Sequence, residues 1–426
     1  MATSLLNKGK KIDWIFSFFI IYIFFYWVCN KTLFGNNLYV YISFVFLLVA
    51  FGIRFFKWVG KIDSMAMLWA PFFLWSAIGY LFDSNFEFFS YWIIGLLVML
   101  SAENQRVVDR FNYRLFLIIG IFIVSGVVFH YLFTDIYNYT IAPLYYQDVE
   151  AWTTLEYGYS GFTYQLGVTA CILNSVEMLV LAILIKEWKI RKKWLLWLLW
   201  LFFISIIMCT FLTGKRTADV IAIVVPVIVF YYFNKNKQGR AFTFVMVVVG
   251  GFALFLFIQQ NLNLFLQSDF FHRLAESYDD YRYGSDISSN RWMLWGRALQ
   301  LFDESPLWGI GVGQYQIVEK RGAHSMYLQC LSEQGFIGLV LFVVPLIYCL
   351  FKTAKLARLV KDSYIAACLC FSLGIQLRYI IYGITENDNS SLGGFLFYAV
   401  SIALAIDCNA RVKSSKTSLL KRATLS

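Results

Sequence analysis

Apolar runs long enough to cross a bilayer recur along the whole of this 426-residue chain, and they limit its fold class before any motif is read. Crossing about 30 Å of hydrocarbon takes about 20 residues of α-helix. Residues 15–28, IFSFFIIYIFFYWV, contain no charge, and comparable runs follow one another to the C-terminal tail. Inside hydrocarbon each backbone N–H and C=O needs a partner within the protein, which leaves helices and closed barrels. Barrel strands would appear as short segments alternating with a period of two; the runs here are continuous and of helical length. Sixty per cent of the residues are hydrophobic and 15% are charged. A soluble domain is nearer 45–50% and about 25%. The expected fold is therefore all-α and polytopic. About twelve transmembrane helices are expected, at roughly 14–29, 38–56, 65–82, 88–102, 115–134, 164–185, 194–213, 217–233, 241–259, 335–351, 363–383 and 392–410.

Charge tests the count. With the N-terminus placed in the cytoplasm, the inside segments hold 26 of the 36 Lys and Arg residues, from Lys8, Lys10 and Lys11 to the tail with Arg411, Lys413, Lys416, Lys421 and Arg422. Loops 83–87, 135–163 and 384–391 on the other side hold none. This is the positive-inside pattern, so the net charge of +10 reports topology and contact with anionic lipid, and it does not point to nucleic acid. The first run lies behind Lys8, Lys10 and Lys11 and is followed by Cys29-Asn30-Lys31, with no small-residue cleavage site, so it reads as a span that stays in place. The eight cysteines show no metal spacing and fall mostly in apolar runs, where they read as small buried hydrophobes.

The cations outside this pattern gather on or near the outer side. Lys215 and Arg216 lie in the short turn TGKRTAD. Arg378 lies inside the eleventh span. Arg273, Arg282, Arg291, Arg297, Lys320 and Arg321 share one large outer loop, 260–334. Within it RWMLWGRALQLF, 291–302, places Trp292, Trp295, Leu299 and Phe302 at three- and four-residue spacing, with Arg297 and Gln300 on the opposite arc. Such a helix would lie on the membrane surface or against the bundle. The stretch PLWGIGVGQYQ follows, with Gly309, Gly311 and Gly313. Its amides can hold phosphate oxygens, although a glycine loop before a span also serves as a hinge or a packing device. Then HSMYLQCLSEQGFIG, 324–338, opens a second helical stretch at His324 that ends near Gly335.

In this order, LTGKRTA, then R..LW..AL.LF.ESPLWGIGVGQY, then AHSMYLQCLSEQGFIGL running into a span, the sequence resembles the O-antigen ligase and polymerase superfamily (the Wzy and WaaL enzymes and their relatives). The likeness is strongest over 212–225 and 291–345. Where many relatives have His-Asn, this chain has His324-Ser325.

The resemblance implies transfer of a glycan from a polyprenyl diphosphate to a hydroxyl. Arginine can grip phosphate oxygens with parallel donors and never loses its charge. Arg216 and Arg291 are the expected diphosphate stabilisers, with Arg297 and Arg378 behind them. A local pair with Asp219, or an interfacial anchor, is the other reading of Arg216. Histidine can accept a proton near neutral pH, and His324 is the expected general base. Tyr327 and Tyr315 are expected to line a sugar site, or to belong to an interfacial aromatic belt, and Gly311 and Gly313 to contact substrate. No metal site or cofactor is expected; Asp279, Asp280 and the run Glu386-Asn387-Asp388 read as solvated loop charges. Glu177, near mid-span beside Asn174 and Ser175, reads as a buried structural carboxyl or a partner for an arginine or substrate.

The expected organisation is an N-terminal bundle at 1–259, the outer loop with the motif at 260–334, three C-terminal spans at 335–410 and a basic cytoplasmic tail at 411–426. The implied activity is polymerisation of a polysaccharide (O-antigen, capsule or exopolysaccharide). A growing glycan would pass from its carrier to a carrier-linked repeat unit at the outer face of the bacterial cytoplasmic membrane. The alternatives are a ligase delivering the glycan to lipid A core or another acceptor and, in another class, a lipid-linked sugar flippase. The implied partners are an undecaprenyl diphosphate-linked glycan, the bilayer, a chain-length regulator and a flippase, with no nucleic acid.

Overall fold

The computed structural model describes residues 14–29, 37–56, 62–82, 86–105, 107–145, 158–163, 165–187, 192–233, 290–387 and 392–423. The expected ninth span at 241–259, His272, Arg273, Arg282, Asp279, Asp280 and Asp388 lie outside the described residues. In chain order the α-helices are α1 (Trp14–Cys29), α2 (Asn37–Phe56), α3 (Ser64–Met67), α4 (Ala70–Phe82), α5 (Phe86–Gln105), α6 (Val107–Arg110), α7 (Tyr113–Leu132) and α8 (Thr134–Thr140). They continue with α9 (Leu166–Glu187), α10 (Lys193–Leu212), α11 (Arg216–Phe233), α12 (Arg291–Glu304), α13 (Gln314–Glu319), α14 (Met326–Leu359), α15 (Ser363–Tyr382) and α16 (Leu392–Ala423). Among the described residues there is no strand. Each expected span other than 241–259 falls on helix, with the one at 65–82 divided between α3 and α4. Seven are long and apolar enough to cross a membrane, namely α7, α9, α10, α11, α14, α15 and the apolar part of α16, and shorter apolar stretches run over Ile42–Phe56, Ser64–Gly79 and Trp92–Ala102. The protein is thus an all-helical, multi-pass membrane protein.

The chain forms two compact units. The first comprises residues up to Ile23, Leu38–Asn112 and Arg291–Ser426; the second comprises Phe24–Asn37 and Tyr113–Asn290.

In the first unit, Trp69 is fully buried among Phe342, Phe395 and Tyr398, with ring centroids 5.6 to 5.9 Å away. Lipid tails are as apolar as leucine, so helices here associate through close packing and polar contacts more than through a hydrophobic drive. Gly95 supplies close packing, since a Cβ there would sit 2.4 Å from the Phe395 ring. Gln376 supplies polar contacts, donating to Thr353 at 2.9 Å and Ser372 at 3.0 Å. Where α3, α14 and α16 meet, the Asp63 carboxylate accepts from the Met65 amide, Lys352 and Asn409. Burial pushes this carboxyl up, but the Lys352 and Met65 hydrogen bonds outweigh burial and hold it below its ordinary value. Residues 411–423 of the basic tail continue α16 as helix.

One break matters for everything that follows. At Gly335 α14 adopts φ 68° and ψ −172°, which divides it into a limb 326–334 and a long apolar limb 336–359. That backbone region is essentially confined to glycine. The long limb exposes Phe336, Val340, Val344 and Ile347 along one stripe, the face of a helix meeting lipid.

In the second unit α9 is the central helix, with 94% of its apolar window buried. Gly120 lets α7 approach it, where a Cβ would meet Val176 at 2.4 Å. Asn174 donates to the carbonyl of Ala218 on α11. Glu177 is fully buried on α9. His130 is also fully buried, stacked on Tyr137 at 3.5 Å with its Nδ1 accepting from the Gly161 amide, a packing role.

Candidate functional site

The site builds on a small core in the first unit. Ala298 and Leu301 of α12 pack with Tyr315 and Ala323, and Leu294 is buried on the same helix. Of the face marked by spacing, Trp292 is 68% and Leu299 46% exposed, so these two do not pack against the bundle. The helix is apolar on two sides, and the stripe with the small Ala298 is the one that admits Tyr315. Spacing marks both stripes and cannot rank them.

The glycine loop lies against the α14 break. A helix end leaves carbonyls without partners. The amide of Ile310 donates to Ser332 O and that of Gly311 to Glu333 O, each at 2.9 Å, and Trp75 Nε1 donates to Gln334 O at 3.2 Å. A Cβ on Gly309 would lie 2.3 Å from Gln334 N, and one on Gly335 2.3 Å from Leu307. The Gly313 amide donates to the Glu333 carboxylate, as does that of Tyr315. The amides of Gly311 and Gly313, the residues expected at substrate, thus meet Glu333.

Beyond this core, the start of α14 meets the turn after α15. Ser325 caps α14 and its amide donates to Asn387 Oδ1 at 3.0 Å, while the Met326 amide donates to Gly383 O at 2.9 Å. His324 precedes the cap with φ +51°. Its Nδ1 lies 3.2 Å from Glu386 Oε2, and Arg291 Nη2 lies 3.1 Å from Glu386 Oε1. One carboxylate therefore joins the imidazole at the head of α14 to the guanidinium at the head of α12. The Glu386 side chain is 16% exposed, Arg291 24% and His324 41%, so the imidazole is the open member. An ionised carboxylate only accepts, which places the imidazole proton on Nδ1 and leaves Nε2 basic.

Glu386 overturns the expectation of a solvated loop charge. It is 62 residues from His324 and 95 from Arg291, in a short turn whose acids look dispensable when read alone. The signal that could have found it is pairing demand, since a loop otherwise free of cations sits beside a span carrying Arg378.

The remaining expected residues are placed as follows. Arg297 Nε donates to Glu319 at 2.8 Å and Nη1 to Gln300 at 3.1 Å. Tyr315 is fully buried, its hydroxyl donates to Leu294 O, and burial pushes it up to about 12. The Tyr327 hydroxyl donates to Ile380 O at 2.9 Å, tying α14 to the end of α15. Arg378 is fully buried, its guanidinium carbon 5.0 Å above the Tyr382 ring, and it does not snorkel to the surface. Arg216 opens α11 in the second unit, after Gly214 at φ +65°. Lys320 and Arg321 are exposed. The structure thus brings His324 and Arg291 together through Glu386.

No curated protein sequence matches the chain. The sequence model of the O-antigen ligase family matches residues 200–343, a stretch that includes Arg216, α12, the glycine loop and His324. Over those residues the chain is similar to the O-antigen ligase family, which supports its resemblance to the O-antigen ligase and polymerase superfamily.

Proposed function

We propose that the protein is a polysaccharide polymerase that moves a growing glycan from polyprenyl diphosphate to the hydroxyl of a carrier-linked repeat unit. The observation that carries this reading is the Glu386 bridge, which holds a proton acceptor beside a permanent cation. In the proposed step the acceptor hydroxyl oxygen bonds to the anomeric carbon and its proton passes to His324 Nε2. The bond from that carbon to the diphosphate oxygen breaks, and polyprenyl diphosphate leaves with the electron pair. Direct displacement inverts the anomeric configuration. Arg291 meets the charge growing on the leaving oxygens; one such donor in a water-poor site is worth about 3–4 kcal/mol. Glu386 fixes the tautomer and stabilises the imidazolium. Tyr315 and Tyr327 act from behind, and Arg297 and Arg378 supply positive potential. The cation distribution supports cytoplasmic termini and a site on the outer face of the bacterial cytoplasmic membrane.

The ligase reading shares every one of these steps and differs in acceptor, and the family match is compatible with both. Purified protein with a polyprenyl-diphosphate-linked repeat unit tests both. A polymerase extends the repeat unit, and a ligase requires lipid A core. His324→Ala and Arg291→Ala are each expected to lower turnover by about 10²- to 10³-fold. Unchanged extension by both variants would remove the proposal.

A further inference from the structure

The imidazole of His324 sits on a backbone that needs support. A non-glycine residue at φ +51° occupies a region that L side chains adopt rarely. Behind it, away from the open face, runs a chain of buried polar contacts. Gln329, 2% exposed, accepts from the Ala323 amide through Oε1 at 3.4 Å and donates through Nε2 to Glu333 Oε1 at 3.0 Å. Glu333, 6% exposed, also accepts from the amides of Gly313 and Tyr315. Three N–H donors thus face the carboxyl group. The contacts run from the glycine loop to the Ala323 amide, one residue before His324.

Both side chains are buried. A purely structural buried carboxylate would be satisfied by the loop amides alone. Here a further donor is an amide side chain whose other end accepts from the Ala323 amide, one residue before His324. Amide side chains suit this use, since they accept at one end and donate at the other.

We infer that Gln329 and Glu333 are positioning residues that fix His324 in register with Arg291, by coupling the Ala323 peptide to the glycine loop. The inference rests on His324 being the proton acceptor. It makes the glycine loop part of the site without any contact to substrate.

A swap of the two side chains tests it, because the double variant Q329E/E333Q can keep every hydrogen bond. The amide placed at 333 accepts from the loop amides and donates to the carboxylate placed at 329, which accepts from Ala323. Each single change breaks the chain. With Glu333→Gln alone, Gln329 must turn its NH2 either toward the new amide's NH2 or toward the Ala323 N–H. With Gln329→Glu alone, two carboxylates face each other. The assay uses the purified full-length protein and a polyprenyl-diphosphate-linked repeat unit. Each single variant is expected to lose about ten- to hundredfold in kcat with donor KM within about twofold, and the swap to return within about threefold of wild type. Singles with wild-type kcat would overturn the inference, and so would a swap no better than the poorer single. If a single variant fails to accumulate, recovery of both accumulation and kcat in the swap supports the coupling, and failure of the swap as well overturns it. His324→Ala in the same assay separates the two ideas. Surviving turnover there removes the proton acceptor itself; lost turnover alongside normal relay variants removes only the coupling.

Discussion

Two carboxylates in the first unit make the same kind of bond to very different ends. Asp63 has a side chain 2% exposed and faces Lys352 at 2.6 Å, Asn409 at 2.6 Å and the Met65 amide at 2.9 Å. Glu386 is less buried, with a guanidinium and an imidazole on its oxygens, and the imidazole is 41% exposed. A carboxylate saturated by protein donors on all sides locks helices together. A carboxylate that leaves its partner's other nitrogen open can direct chemistry. Burial decides between these outcomes more than the ion pair does.

Substitutions can break this contrast. Asp63→Ala leaves the Lys352 ammonium facing an emptied pocket and should destabilise the protein by about 3–5 kcal/mol. Thermal unfolding in detergent would show the loss, while turnover per folded molecule stays at the wild-type value. Glu386→Gln should do the reverse, lowering turnover by about a hundredfold and changing stability by less than about 1 kcal/mol. Equal damage to stability from both changes would erase the distinction.

Acid sharpens it. The Asp63 carboxyl is held below its ordinary value of 3.8 in the folded protein, so the unfolded chain binds the proton more readily. The stability Asp63 contributes is therefore complete above about pH 4 and declines as the pH falls further, through its folded value. Wild-type unfolding should weaken more steeply in that range than unfolding of Asp63→Asn. The smallest effect is expected at Arg297, paired with Glu319 across an exposed surface. Arg297→Gln should change stability by about 1 kcal/mol or less, because water screens such pairs. A loss of turnover beyond a few fold would restore Arg297 to direct contact with substrate.

Much of the fold was legible in the sequence because bilayer length and helix period are local properties. The start of α14 after His324 and its break at Gly335 could both be read from HSMYLQCLSEQGFIG. Residues in one window, Arg291 and His324, were identified as candidates because their motifs carry the chemistry. What stayed hidden depends on contacts between windows. Glu386 reads as a loop charge until the turn after α15 folds beside His324. The loop glycines read equally as a phosphate cradle and as packing until their amides meet Glu333. Which face of α12 packs stayed open because two apolar stripes compete and only tertiary contact chooses.

Gly335 has an evolutionary corollary. A lineage carrying this protein can drift along the stripe of Phe336, Val340, Val344 and Ile347, where one apolar side chain replaces another at little cost in lipid. Position 335 admits one letter of the genetic alphabet's twenty, because its dihedrals exclude a side chain and the Leu307 backbone occupies the space one would need. Descendants that keep the head of α14 at its present tilt inherit that glycine, whatever sugar they come to handle.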